Sequence, residues 1–512
     1  MKNIKNIMSG HWSLEGLDIE AKAATNTFPK DALETYSAFA NTEGGLLILG
    51  IAEKDDTFEI SGVSHPDKVL KEMFDLLNNP AKVSRNIVNN HHVSIDSIEN
   101  KTIIILRIPR ANPAYKPIYL NGNPYRSYFR YHSADKQCTP EDVQAMMRDA
   151  SQETPDSNIL LNYTISDLDS DAVKKYQSAF ANLKPTHPFT QYSTEKFLEA
   201  IGALGYDRSS ESAEQSSKLY LTLAGLLVFG KHSAITQYLP HYHVEYIDKT
   251  GANIEFDRWR DRLIYDGSWG EDNLYTFFNL VINKLFSTIR SDFQLSEDNI
   301  SRLEDTPMKV ALREALINTL IHADYKIPSD IKITRYSDRI SFDNPGNLRI
   351  SRQDYFSGGH SSPRNPKIEA IFRYVNLCER AGSGVPKILD AVNHYNLQKP
   401  VINLTPHSFE LILWDSSIIE NATDLNDSEE AVLAFALEKI ALKKSDLMAN
   451  LDLSYYQATK LLNSLIEKGY LEAIGKARSA RYIVKESEDF SKYNLVNKMS
   501  TLIELFKNTS NP

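Results

Sequence analysis

Between Lys30 and Ile51 the chain reads KDALETYSAFANTEGGLLILGI. The apolar spacing up to Asn41 predicts an amphipathic helix, Gly44 and Gly45 break it, and the run Leu46 to Ile51 predicts a buried strand. A helix turned back onto a strand through two glycines commits this region to an α/β layer. Strand-like runs from Ile103 to Ile108 and from Tyr125 to Tyr131 extend the layer, and Thr139-Pro-Glu-Asp opens a helix reaching Ala150. A first domain is therefore expected over residues 1–150, followed by a polar linker at 151–158.

At 512 residues the chain should hold three or four such units. Hydrophobic residues make up 42% and charged residues 24%, with Gly and Pro at 21 each, which excludes collagen-like, mucin-like and wholly disordered chains. Two cysteines, Cys138 and Cys378, build neither a disulfide framework nor a cysteine zinc site, and a reducing, cytoplasmic location is expected. No apolar run approaches a membrane span, and the start MKNIKNIMSGHWSLEG lacks the apolar core of a signal peptide, so no membrane partner is expected. The net charge of −10 argues against a polycationic surface but admits one local basic face. Beyond the first linker the pattern predicts a mixed α/β connector at 159–300, an α/β domain at 301–415, a second polar linker near 416–428, a small domain at 428–490 and a helix or tail at 491–512. Homo-oligomerisation stays open.

In SLEGLDIEAKAA, Glu15, Asp18 and Glu20 precede Lys22, and a strand over 17–22 would put Asp18, Glu20 and Lys22 on one face. Converging carboxylates with a lysine suit a divalent-metal phosphodiester site, where oxygen ligands hold Mg²⁺ or Mn²⁺ and a cation steadies the charged transition state. Glu53 or Asp55 would supply the third acid. The alternative is a solvated charged strand face. Glu15, Glu20-x-Lys22 and SAFANTEGGLLILGI (37–51), continued by KPIYLNGNPYRSYFR (116–130), resemble the Schlafen-type AlbA_2 domain. The resemblance implies a nucleic-acid-binding domain, with a metal-dependent RNase site in some members, and carries catalytic and metal roles to Glu15 and Glu20. Glu53 stands where relatives usually have Asp, and Ala21 replaces the aromatic of the family's E-F-K pattern. Lys22, Arg107, Arg110, Lys116, Arg126 and Arg130 could form a phosphate-contacting surface, or be plain surface charge.

In REALINTLIHADY, Glu314, Asn318 and His322 recur every four residues and share one helix face. Such a face suits ATP chemistry, with the glutamate orienting or deprotonating a water and the asparagine amide oxygen binding Mg²⁺. Asn344-Pro-Gly346 follows a strand, as a base-reading side chain beside a permissive turn would. Gly382-Ser-Gly384 opens a helix, where free N–H groups favour phosphate. In this order, with RNP at 364–366 between them, the motifs resemble the GHKL ATPase fold in the RecG-like variant found behind AlbA_2 domains. Asn344 replaces the usual base-reading aspartate and Asp343 lies adjacent, both counted among the nucleotide contacts. Arg364 could meet the terminal phosphate or merely anchor its loop. Gly225-LLVF-Gly230-Lys231-His232 mimics a phosphate loop, but its bulky apolar centre and final His argue for a buried strand or helix end.

From residue 429 the pattern is helix, helix, helix and hairpin, resembling a winged helix-turn-helix. Its third helix offers Tyr455, Tyr456, Gln457 and Lys460, and its wing Lys476, Arg478, Arg481 and Lys485, for DNA or for a protein partner. Together these readings give a multidomain α/β (α+β) chain that binds ATP with Mg²⁺ or Mn²⁺ and interacts with RNA or DNA. It is expected to be either an ATP-gated metal-dependent nuclease, as would suit stress or phage defence, or an ATP-responsive transcriptional regulator without nuclease activity. Whether ATP is hydrolysed or only sensed stays open, and Glu314 is the catalytic candidate for hydrolysis.

Overall fold

The computed structural model describes residues 19–484, except 55–56, 99, 132–133, 152–153, 209–217, 252–257, 290–305, 379–381, 383, 423, 438–441 and 475–479. Glu15, Asp55, Lys476, Arg478 and the tail at 491–512 lie outside the described residues, as does the side chain of Glu53.

The amino-terminal domain is built on strands β1 (Ile19–Lys22), β2 (Gly44–Leu49), β5 (Val93–Ile98) and β6 (Lys101–Pro109), in the order β1-β2-β6-β5. Strand β1 runs parallel to β2, and the other pairs are antiparallel. A hairpin of β3 (Ile51–Lys54) and β4 (Thr57–Ile60) follows β2, and β7 (Tyr119–Leu120), β8 (Asn123–Tyr131) and β9 (Ala134–Gln137) form a second small sheet. Helix α1 (Ala32–Asn41) packs against β2 and β8 with nine of its ten residues buried, which its Ala and Ser positions allow by letting backbones approach closely. Its last residue, Asn41, is tied to Ile118, just before β7, and to Tyr128 of β8. Nδ2 donates to the carbonyls of Ile118 (2.9 Å) and Tyr128 (3.2 Å), and Oδ1 accepts from Ile118 N–H (2.8 Å). Gly44 has φ +85°, and a Cβ there would stand 2.7 Å from the Ile108 carbonyl oxygen, so the turn into β2 requires glycine. Helix α2 (Pro66–Leu77) covers the same core, and α3 (Pro140–Ala150), capped by Thr139, closes the domain.

Two expected boundaries are absent from the structure. Asp156, in the stretch read as a linker, is fully buried, and its carboxylate accepts from the Lys367 (2.6 Å) and Ile368 (3.0 Å) N–H groups at the start of helix α8 (Pro366–Tyr374). Burial raises its pKa to about 6. A helix start orphans N–H groups, and a distant acid satisfies them here, which a polar sequence does not disclose. The connector and the following domain also share one continuous core running from Leu160 to Leu413. Its six-stranded sheet has the order β14 (Asp261–Leu263), β13 (Val244–Asp248), β15 (Ile331–Arg335), β16 (Arg339–Pro345), β18 (Ser408–Trp414) and β17 (Val401–Leu404). Strand β13 from the connector pairs in parallel with β15, so the boundary expected at 300 cuts through one sheet. A smaller sheet of β10 (Ile159–Leu160), β12 (Leu219–Thr222) and β11 (Leu204–Tyr206), with α4 (Ser170–Leu183), α5 (Leu223–Phe229) and α6 (Leu274–Thr288), completes this unit. Helices α7 (Pro307–His322) and α9 (Gly384–His394) pack against each other, and α7 also meets β16.

The last unit has helices α10 (Asp427–Leu437), α11 (Lys444–Asn450) and α12 (Tyr455–Glu467), followed by antiparallel β19 (Leu471–Ile474) and β20 (Arg481–Val484). That is the element order expected of a winged helix. Glu429 ties α10 to α12 through Lys468 Nζ (2.8 Å) and Ser464 Oγ (2.6 Å), contacts that hold its carboxyl down at about 2.

Candidate nucleotide site and its junction with the amino-terminal domain

A solvent-open cleft lies between α7, the end of β16 and the start of α9. Glu314, Asn318 and His322 all line it, as helical spacing requires of positions four apart. Asn344, Gly346, Gly382 and Gly384 line it too, so motifs separated by some seventy residues converge on one cavity. Glu314 Oε1 accepts from Asn318 Nδ2 at 3.3 Å. A Cβ on Gly384 would fall 1.9 Å from that same oxygen, so the glutamate rests directly on the glycine backbone. The His322 pKa is lowered to about 4 by burial and by the nearby Arg364 and Arg349 charges, leaving the ring neutral at pH 7.

Asn344 is 3% exposed, its Nδ2 donates to the Pro345 carbonyl (3.1 Å), and its Oδ1 is buried without a hydrogen-bond partner among the described residues. An orphaned acceptor in a cavity wall is costly unless a ligand donor completes it. Asp343, expected beside it, is instead on the opposite face of β16, because successive strand residues alternate. Its carboxylate accepts from Ser341 Oγ (3.0 Å), and burial, with Glu410 nearby, raises its pKa to about 6.

Arg364 does not line the nucleotide cavity. Its Nε and Nη2 grip both oxygens of Asp149, at the end of α3, at 3.0 and 2.9 Å, and its Nη1 donates to the His322 carbonyl. Among the described residues the arginine in the cavity wall is Arg349, which no sequence motif marks. Around it the two units are stitched together. Arg349 Nη2 donates to the Asp149 carbonyl (3.0 Å), Arg110 to the Leu348 carbonyl, Arg148 to Asp324 (3.0 Å), and His407 Nε2 lies 2.9 Å from Asp142. Glu43, inside the ANTEGG run, pairs with Arg110 and accepts from Arg352 N–H at 3.4 Å. No spacing rule marks these residues, because each contact joins positions far apart in sequence.

In the amino-terminal domain Glu20 is held between Lys22 Nζ (3.1 Å) and Arg130 Nη2 (2.9 Å). Arg130 is 3% exposed and also binds Asp135 (2.8 Å), so it orients carboxylates from inside the domain and is not placed to meet a phosphate. Lys116 is likewise buried, donating to the Asn41 carbonyl, while Arg126 is exposed. Among the described residues no group of three His, Cys, Asp or Glu side chains could hold a metal ion. In the last unit Tyr455, Tyr456 and Lys460 are exposed on α12, and Arg481 lies on β20. The phosphate-loop mimic is a buried helix: α5 contains Gly225, where a Cβ would stand 2.1 Å from the Ala203 carbonyl oxygen.

Fold and cavity together define a multidomain α/β protein. Residues 15–139 match the Schlafen, AlbA_2 family, and residues 329–413 match the family described as "Putative ATP-dependent DNA helicase recG C-terminal". Residues 144–245 match a domain of unknown function (DUF8451). The chain thus carries a Schlafen AlbA_2 domain ahead of a RecG-like C-terminal domain. The solution structure of the N-terminal domain of a putative ATP-dependent DNA helicase RecG-related protein from Nitrosomonas europaea is 31% identical, over 24% of this chain and 84% of that one, with a TM-score of 0.18. The crystal structure of the DIP2311 protein from Corynebacterium diphtheriae aligns over 94% of this chain and 98% of that one, at 15% identity and a TM-score of 0.39. No curated protein matches the chain. Among the described residues no helix is long and apolar enough to cross a membrane.

Proposed function

We propose that this chain is an ATP-binding, nucleic-acid-interacting protein, in which nucleotide occupies the cleft between α7 and α9 and nucleic acid engages the amino-terminal domain and the carboxyl-terminal helical unit. The observation that carries the nucleotide reading is the buried Oδ1 of Asn344 in the cavity wall, unpartnered among the described residues. It would accept from the exocyclic amine of adenine. Asn318 would hold Mg²⁺ through its amide oxygen, Glu314 would hold or orient a water, and Gly382 and Gly384 would present backbone N–H groups to phosphate. The ion, when bound, neutralises phosphate charge. Asn318→Ala is expected to remove the Mg²⁺-dependent part of ATP affinity, as read by titrations with and without the metal.

A second reading adds metal-dependent nuclease activity, favoured by Glu20 and Lys22 standing side by side on one face of β1. Glu15 and Glu53 or Asp55 would complete the ligand set. In that reading Glu20→Gln abolishes cleavage of RNA or DNA in Mn²⁺ or Mg²⁺ and leaves substrate binding similar or tighter. If the wild-type protein cleaves nothing and Glu20→Gln changes nothing, the domain binds nucleic acid only, and the regulator reading stands.

The wing is proposed to meet duplex DNA through phosphates. Replacing Arg478 and Arg481 together is expected to flatten the salt dependence of binding by about two, at about 0.9 per phosphate contact. An unchanged slope assigns this unit to protein contacts.

A further inference from the structure

Arg349 lines the nucleotide cavity and also both clefts between the nucleotide module and the amino-terminal domain. Its guanidinium is divided among neighbours that do not satisfy it: Nη1 donates to the Pro363 carbonyl (3.1 Å) and Nη2 to the Asp149 carbonyl (3.0 Å). Among the described residues Nε, which is buried, has no hydrogen-bond partner and lies 4.0 Å from Asp149 Oδ1. The Asp149 carboxylate is committed to Arg364, which grips it through two parallel hydrogen bonds. One carboxylate therefore stands against two guanidinium groups, and the one left over faces the cavity. Burial and the Arg364 charge both disfavour the charged Arg349, so the site gains from a second anion.

We propose that Arg349, not Arg364, is the phosphate-contacting cation of the nucleotide cavity, and that Asp149 competes with the nucleotide for it, so that occupancy loosens α3 from the nucleotide module. This rests on the nucleotide reading above. The ligand class is a nucleoside polyphosphate, because a neutral nucleoside offers Arg349 no charge. The competition is reciprocal. What the nucleotide gains by drawing Arg349 toward it is taken from the α3 contact, and what Asp149 holds back lowers nucleotide affinity by the same factor. Two other bridges of α3 at this junction, Arg148 to Asp324 and His407 to Asp142, keep the rest of the helix joined, so only its Asp149 end loosens.

The test uses the full chain, titrated calorimetrically with ATP in Mg²⁺ and with adenosine. Arg349→Gln is expected to weaken ATP by about tenfold, the worth of one charge-assisted hydrogen bond, and to leave adenosine unchanged. Asp149→Asn is expected to tighten ATP by about fivefold, the lower end of typical couplings. Hydrogen exchange of α3 amides should quicken with ATP in the wild type, and already be quick without ATP in Asp149→Asn. Equal ATP affinity in Arg349→Gln and wild type overturns the assignment of Arg349, and unchanged or weaker ATP binding in Asp149→Asn overturns the competition. Loss of adenosine together with ATP in Arg349→Gln would mark a merely structural arginine. A wild-type protein that binds neither ligand overturns the nucleotide reading itself, a result distinct from the others.

Discussion

Asn344→Leu is expected to abolish nucleotide binding at accessible concentrations while leaving the fold as stable as the wild type, within about 1 kcal/mol. These two outcomes ordinarily conflict, since replacing a buried polar residue usually costs stability. Here, among the described residues, the buried Oδ1 of Asn344 has no partner, and the side chain makes a single hydrogen bond, to the Pro345 carbonyl. Leucine removes an unsatisfied acceptor, so the loss of that one bond is offset. The ligand has no such compensation: its amine would enter the cavity and meet methyl groups. Leaving that amine desolvated and unpaired costs about 1–3 kcal/mol beyond the hydrogen bond itself. Thermal melts paired with ATP titrations check both halves. A variant that melts far below the wild type would show that Asn344 is structural.

Asn41→Ala is expected to destabilise the amino-terminal domain by about 3 kcal/mol. The residue is 3% exposed and joins the end of α1 to Ile118, just before β7, and to Tyr128 of β8. Truncation leaves the Ile118 N–H and the Ile118 and Tyr128 carbonyls without this partner. Asn41→Asp retains the acceptor but cannot donate to two carbonyls, and should also be destabilising. Because the chain holds several units, the quantity to follow is the unfolding transition of the amino-terminal domain, by hydrogen exchange of α1. A shift below about 0.5 kcal/mol would remove Asn41 from the account of that fold.

What the sequence disclosed divides along physical lines. Helix α1, the Gly44-Gly45 turn and β2 are legible because periodicity and glycine placement are local properties. The alignment of Glu314, Asn318 and His322 is legible for the same reason, since a four-residue spacing on a helix fixes the face. Asp343 was misplaced although strand alternation, applied to its neighbour Asn344, puts the two on opposite faces. Asp156, Asp149 and Arg349 escaped notice because their partners lie roughly two hundred residues away, and nothing in a polar stretch distinguishes a buried helix-capping acid from a solvated one. Arg130 was read as surface because arginine usually is. Its burial follows from Glu20 and Asp135, which neutralise it from two strands.

The ligand proposed for the cleft between α7 and α9 is ATP. Isothermal titration of the full chain with ATP and then GTP, each with Mg²⁺, tests it most directly. The account predicts one site that prefers ATP and is lost in Asn344→Leu, because Asn344 Oδ1 accepts from the adenine amine and the guanine edge offers an acceptor there. Absence of binding by ATP, or equal binding in wild type and Asn344→Leu, would contradict it.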